Sequence, residues 1–478
     1  MKHTLILLTS LLLTPLAAVH SQPPHPPVVD ISGETERHVI IAQGTETDWQ
    51  GHPHTLLLPD VKTMFCVWQG RHDGTGRHGA PGGLLKRSND GGLTWSELLD
   101  VPANWMEIGR GSPTSHRLVD AQGVARLFVY CRDEKRTTFL HAMSEDEGKT
   151  WSPLQPLRRS NTAEPPITGW TAPISILEAR GSDGRRKHLM WYERGRDGRP
   201  VPGVIWQSAS YDGGLTWGES KPVVDKAGAS EPTAIRSPDG KQILLLIREQ
   251  NRQLNSLFSI SNDEGETWSA PKELPLFLTG DRHLARYAPD GRLLIVFRPV
   301  PPLARAGVEY RGLRSVKDSH FTAWVGRYED LVTGEESGYL VKLLHSHAGG
   351  DHTYPGLELL PDGTFIATTY IKYREGPEMH SVVSVRFRLA ETDAKIGASK
   401  KRFPTTTSPQ EPWSEKQGEK LYITRSYRRE LRLCRRRRSR LHDVPRYGRD
   451  GEVRHTRGFE HLSANHRQRK DVNEESQS

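Results

Sequence analysis

The chain has 478 residues, 66 Lys plus Arg against 58 Asp plus Glu, a formal net charge of +8 and three cysteines, Cys66, Cys131 and Cys434. Several hundred residues can bury a core without cross-links, and an odd trio of cysteines excludes a disulfide framework and metal-ligand spacing. From Lys400 onward basic residues exceed acidic ones by ten, leaving residues 1–399 at about −2, so the body lacks the basic footprint of a nucleic-acid-binding protein.

Lys2 and His3 precede LILLTSLLLTPLAAV, a short apolar run that closes in small residues. This predicts a secretory signal peptide over residues 1–21, followed by a Pro-rich leader over 22–34. No later stretch is apolar enough to span a membrane, so the expected location is secreted or periplasmic.

Between residues 35 and 395 two features repeat. The octet S-x-D-x-G-x-T-W occurs as Ser88–Trp95, Ser144–Trp151, Ser210–Trp217 and Ser261–Trp268. Asp and Gly tolerate tight turns, and the Thr and Trp that follow suit the start of a strand. Asp90, Asp146, Asp212 and Asp263 are therefore read as turn-makers rather than catalysts, and the tryptophans as buried anchors. Turn aspartates Asp60, Asp120, Asp183, Asp239, Asp290 and Asp362 mark six hairpins at intervals of 51 to 72 residues. Repeats of that length, rich in β-branched and aromatic runs, predict an all-β protein: a six-bladed β-propeller over residues 35–395. The remainder, 396–478, contains RRRRSR and no apolar period, and reads as a basic, disordered tail.

In a propeller the first strand of each blade lines the central channel. Four hairpins carry a proline seven residues before the turn aspartate, and the residue preceding it is His52, Ser112, Glu231 or Tyr354; Arg282 holds the same place in GDRHLARYAPD. Polar side chains converging on one axis are costly to bury dry, which predicts a ligand pocket there.

The octets and the hairpin period resemble the Asp-box (BNR-repeat) sialidase, or neuraminidase, family. The resemblance implies a sialidase-like propeller that removes terminal sialic acid with retention, through a tyrosine nucleophile, an assisting glutamate, an aspartate acid/base and three arginines on the substrate carboxylate. A neutral tyrosine suits an anionic sugar, which would repel a carboxylate nucleophile. Carried onto this chain, it makes Glu231 the glutamate, Arg248 one arginine, and Tyr370 the nucleophile, with Tyr373 a neighbouring alternative. Asp73 is the carboxylate in the loop where the acid/base belongs, and His78 stands nearer its register.

This chain departs from the pattern at two arginines: the R-I-P motif reads Gly51-His52-Pro53, and HAGGDHTYP has none. Arg282 is a candidate replacement; His52, His78 and Tyr354 are candidate substrate-binding residues. No metal and no cofactor is expected. The expected partner is a glycan or glycoconjugate, with no nucleic acid and no membrane span. Two functions stay open: an exported glycoside hydrolase acting on a terminal acidic sugar, or a glycan- or partner-binding propeller without turnover.

Overall fold

The computed structural model describes residues 26–71, 82–300, 320–335, 337–349 and 351–402. The expected signal peptide, the loop carrying Asp73 and His78, and the tail beyond residue 402 lie outside the described residues. Contacts separate Met1–Pro404 from Thr405–Ser478, and all described residues belong to the first unit.

The unit is a six-bladed β-propeller. Blade 1 holds Trp49–Leu57, Met64–Arg71 and Gly82–Ser88, and blade 2 holds Arg110–Val119, Ala125–Arg132, Phe139–Ser144 and Gln155–Pro156. Blade 3 holds Ile176–Arg180, Arg186–Arg194 and Gly203–Ser210, closed by the first part of the long strand Ser220–Arg236. The second part of that strand opens blade 4, with Ile243–Glu249, Leu257–Ser261 and Lys272–Glu273. Blade 5 is Gly280–Tyr287, Leu293–Pro299, His320–Gly326 and Tyr339–His345, and blade 6 is Gly356–Leu359, Thr364–Ile371 and Ser381–Arg388. The outer strand of blade 6 comes from the other end of the chain: His38–Ala42 pairs antiparallel with Ser381–Arg388 and shuts the ring.

Three expectations need adjusting. Blade 1 has three regular strands, and its outer edge is an irregular segment whose Ser96 and Leu99 amides donate to Arg87 and Leu85 carbonyls. Val28–Asp30, inside the expected leader, forms a parallel strand on Tyr339–His345. The helix Leu389–Arg402 runs past residue 395, held by Asp393, which accepts two 2.8 Å bonds from Arg292.

All six turn aspartates accept the amide two residues on, from Lys62, Gln122, Arg185, Lys241, Arg292 and Thr364. The octets form four copies of one loop. In each, the serine hydroxyl donates to the aspartate at 2.7–2.8 Å and accepts the glycine amide at 2.8 Å, while the threonine amide donates to the same aspartate at 2.9 Å. Those carboxylates are spent on their own loops.

Of the octet tryptophans only Trp217 is fully buried; Trp95, Trp151 and Trp268 are partly exposed. The reason is their position at blade edges, where each packs on the preceding blade. Trp151 of blade 2 meets Phe65 of blade 1 at 6.0 Å, and Trp268 of blade 4 meets Trp191 of blade 3 at 6.0 Å, both edge-on. The octet glycine presses against the same neighbour: a Cβ on Gly148 would lie 2.2 Å from Phe65. Blades 5 and 6 lack the octet. In blade 5 a short helix, Tyr328–Thr333, ended by Gly334 in the left-handed region, fills its place, and blade 6 runs directly into Leu389–Arg402.

Candidate functional site

The inner strands of blades 1, 2, 4 and 5 each slip register at one point, between Gly51 and His54, Arg110 and Thr114, Ser230 and Thr233, and Asp281 and Leu284. These are β-bulges, and such bulges re-aim side chains. Three non-glycine residues at the bulges have left-handed backbones: His52 (φ 51°), Glu231 (φ 49°) and Arg282 (φ 55°). Blade 6 has Thr353 (φ 69°) and blade 2 has Gly111 (φ 78°), each one residue before the aligned position. A non-glycine residue held there costs on the order of 1–3 kcal/mol and marks sites that the surrounding structure over-determines. The strain falls where the sequence placed the pocket.

Glu231 is the hub. It is 1% exposed; Arg248 Nη1 donates to its Oε2 at 3.0 Å and the Tyr354 hydroxyl donates to its Oε1 at 3.0 Å. Arg282 Nε lies 3.1 Å from the same Oε1, its guanidinium stacked 3.5 Å over the Tyr354 ring. Burial alone would raise the Glu231 carboxyl; the Arg248 and Arg282 charges overcome that and hold it below the usual carboxylate range. Tyr354 is only partly buried. Burial first, and then the Glu231 charge, push its phenol up against the opposing pull of Arg282, so it stays protonated at neutral pH.

Tyr370 stands elsewhere. It is fully buried, and its hydroxyl donates to Asp351 Oδ1 at 2.7 Å, not to Glu231. Its ring lies behind the pocket wall, edge-on to Trp49 at 5.5 Å and to His52 at 4.8 Å. The expected Tyr370–Glu231 contact is therefore replaced by Tyr354–Glu231. Both tyrosines belong to blade 6, but Tyr354 follows the left-handed turn at Thr353, just before the inner strand, and reaches Glu231, while the next strand turns Tyr370 into the layer beneath. Tyr373 lies further off, its hydroxyl on Gln43. His52 packs 4.2 Å from the Tyr354 ring, so it lines the pocket.

A second carboxylate organises three more contacts. Asp281, fully buried, takes Arg248 Nε at 3.0 Å, Arg252 Nη2 at 2.5 Å, and Arg298 through Nε at 3.1 Å and through Nη2. Burial would raise it; Arg248, Arg298 and Arg252 together drive it far below the usual range. Arg132, from blade 2, is 7% exposed with no carboxylate in ion-pair reach among the described residues, and burial and Arg136 pull it down to about 10. Glu193 is 1% exposed, accepts from the Thr171 hydroxyl at 2.8 Å, and is raised to about 7 by burial and by Glu231.

The structure thus brings together Glu231, Arg248, Arg282, Tyr354 and His52 from the sequence candidates and packs Tyr370 against Tyr354 and His52 with its hydroxyl on Asp351 instead of Glu231. Sequence reasoning missed Arg252, Arg298, Asp281, Arg132 and Glu193. One signal was available: Arg298 follows its turn aspartate, Asp290, by eight residues, as Arg248 follows Asp239 by nine. Among the described residues no group of three His, Cys, Asp or Glu could hold a metal, and no helix is long and apolar enough to cross a membrane.

No protein-family model and no curated protein sequence matches the chain. Among solved structures it is similar to a Dyadobacter fermentans protein of unknown function, at 18% identity over 73% of this chain and 98% of that one, with a TM-score of 0.53. It is also similar to the intramolecular trans-sialidase of Ruminococcus gnavus (15% identity, 74% and 97% covered, TM-score 0.48) and the NanB sialidase of Streptococcus pneumoniae (13%, 74% and 70%, 0.46). Such identities speak for the fold alone, and TM-scores below 0.5 carry no argument about this chain's chemistry.

Proposed function

We propose that the protein is an exported, sialidase-like glycoside hydrolase that removes terminal acidic sugars from glycans, with Tyr354 as nucleophile and Glu231 as its base. The observation that carries this reading is the 3.0 Å hydrogen bond from the hydroxyl of the partly buried Tyr354 to a carboxylate that Arg248 and Arg282 keep ionised. A nucleophile within hydrogen-bond reach of a base, which is itself oriented by third groups, is the arrangement covalent catalysis needs. Tyr354 attacks the anomeric carbon as its proton passes to Glu231 Oε1. The bond to the leaving oxygen breaks, with the proton for that oxygen assigned to Asp73. Water, giving a proton to Asp73, then attacks the anomeric carbon; the bond to the Tyr354 oxygen breaks, that oxygen recovers its proton from Glu231, and two displacements give retention.

The substrate class follows from charge. Arg132, Arg248, Arg252, Arg282 and Arg298 face Glu231, Asp281, Asp351 and a Glu193 half-protonated near neutral pH. The surplus is positive, and guanidinium forks match a carboxylate geometrically. This set occupies the role left open by the missing R-I-P arginine.

Turnover of a panel of acidic and neutral aryl glycosides tests the proposal. Tyr354→Phe should lower kcat by at least about 100-fold, with folding intact, and Tyr370→Phe should keep most activity. Loss with Tyr370→Phe and survival with Tyr354→Phe would return the nucleophile to Tyr370. No hydrolysis of any glycoside, with glycan binding that persists in Tyr354→Phe, would leave a lectin-like propeller.

A further inference from the structure

The axial channel has a second end. Beyond the bulges the inner strands run toward the hairpin turns and enclose a chamber of about 540 Å³, walled by blades 1, 2, 3, 5 and 6. Between the chamber and the Tyr354 pocket lies a waist where Pro53, Pro113 and Pro355 close in, with about 10 Å³ of free space. That gap holds one water at most. A molecule in the chamber therefore enters from the hairpin face and is not substrate in transit from the upper pocket.

The chamber differs from that pocket in charge. Its buried carboxylate, Glu358, is matched by Arg286, whose Nη2 donates to it at 2.8 Å, and accepts from the Thr55 hydroxyl at 3.3 Å. His54 accepts the Ser115 amide through Nδ1 at 3.2 Å, and His116 donates through Nε2 to the Pro173 carbonyl at 3.2 Å. Burial, with each ring's surroundings, holds these histidines down to about 3 and about 4, so both are neutral. The wall thus offers hydroxyls, imidazoles and one compensated ion pair, separated by leucine and isoleucine surface, with Arg117 also on the wall but its side chain exposed to solvent. The volume falls within the range of small-molecule sites. An ion placed deep in the chamber would lose hydration while the one lining charge without an ion-pair partner among the described residues, that of Arg117, stays in solvent, whereas an uncharged ring with several hydroxyls meets both the polar points and the apolar surface.

We propose that this lower chamber is a second binding site, for a neutral sugar unit of pyranose size, independent of the reaction at Tyr354. Saturation-transfer NMR on the full chain, with methyl β-galactoside, methyl β-glucoside, N-acetylglucosamine and glucuronic acid as separate probes, tests it. At least one neutral probe should receive saturation with millimolar affinity, and glucuronic acid should bind at least tenfold more weakly at this site. Ser175→Trp places a bulky ring in the chamber from a half-buried position on blade 3. It should weaken the neutral probe at least tenfold and leave aryl glycoside turnover unchanged, while Tyr354→Phe should leave neutral-sugar binding unchanged. Should Ser175→Trp fail to fold, the isosteric Thr55→Val is read in its place, with a loss of about threefold or more. No transfer from any neutral probe, or transfer that survives the folded chamber variant and disappears in Tyr354→Phe, overturns the proposal.

Discussion

The octet loops at the blade edges and the bulges at the axis are both repeated features, but they repeat in opposite ways. Each octet keeps the same serine, aspartate, glycine, threonine and tryptophan, and the same hydrogen bonds recur in all four. The aligned axial position keeps its place while the residue changes: His52, Ser112, Glu231 and Arg282 at the four bulges, and Tyr354 just ahead of the inner strand of blade 6. Identity of residue signals a group whose bonds are closed inside its own unit. Identity of position with divergent residues signals groups whose partners lie in other blades, as the Tyr354–Glu231 bond does across 123 residues of sequence.

Breaking an axial group should therefore spread across blades, and breaking an edge group should stay local. The largest effect is expected from Asp281→Asn, which removes the carboxylate that Arg252 and Arg298 share and leaves Arg248 with Glu231 alone. Removing one partner of a buried ion pair costs about 3–5 kcal/mol, to be read from urea unfolding; a loss under about 1 kcal/mol would mean that the three guanidiniums are solvated independently. Ser210→Ala should cost about 1–2 kcal/mol, the penalty for leaving the Gly214 amide without its buried acceptor. The paired change in blade 4, Ser261→Ala, should add to it within about 0.5 kcal/mol, and strong coupling would contradict the local character of the loops.

The smallest effect sharpens the comparison through pH. Glu193 has a folded pKa of about 7, above the 4.5 of the unfolded group. The folded state thus holds more protons between those values, and stability from this group is complete below about 4.5 and lost as pH rises to about 7. Glu193→Gln should remove that part of the decline, measured as urea midpoints against pH. An unchanged slope would show that the proton resides on another group of the axis.

The fold was legible because its determinants are local. Six turn aspartates and four octets lie in short stretches whose bonds span two to four residues, so the period survives in the sequence. The pocket was legible as a set of positions, since a proline seven residues before the turn aspartate in four hairpins fixes the alignment, and Arg282 holds the same place before Asp290. Its pairings were not. Tyr354 and Tyr370 both belong to blade 6, and only the backbone turn at Thr353 (φ 69°) decides which one faces Glu231. Arg252 and Arg298 come from different blades and meet only at Asp281, a contact no single motif contains. The tryptophans misled in the other direction: a large ring reads as core, yet three of them cap seams at the molecular edge.

The strand His38–Ala42 has a kinetic consequence. Its partner, Ser381–Arg388, lies more than 300 residues later, so the sixth sheet has no outer edge until nearly the whole chain has been synthesised. Contacts of such separation form late, because closing so long a loop carries its entropy cost before any pairing compensates it. Until then the sixth blade exposes one unpaired edge, a template for another chain. Ring closure therefore doubles as edge protection, and a chain lacking residues 38–42 should assemble its first blades normally and associate through its last.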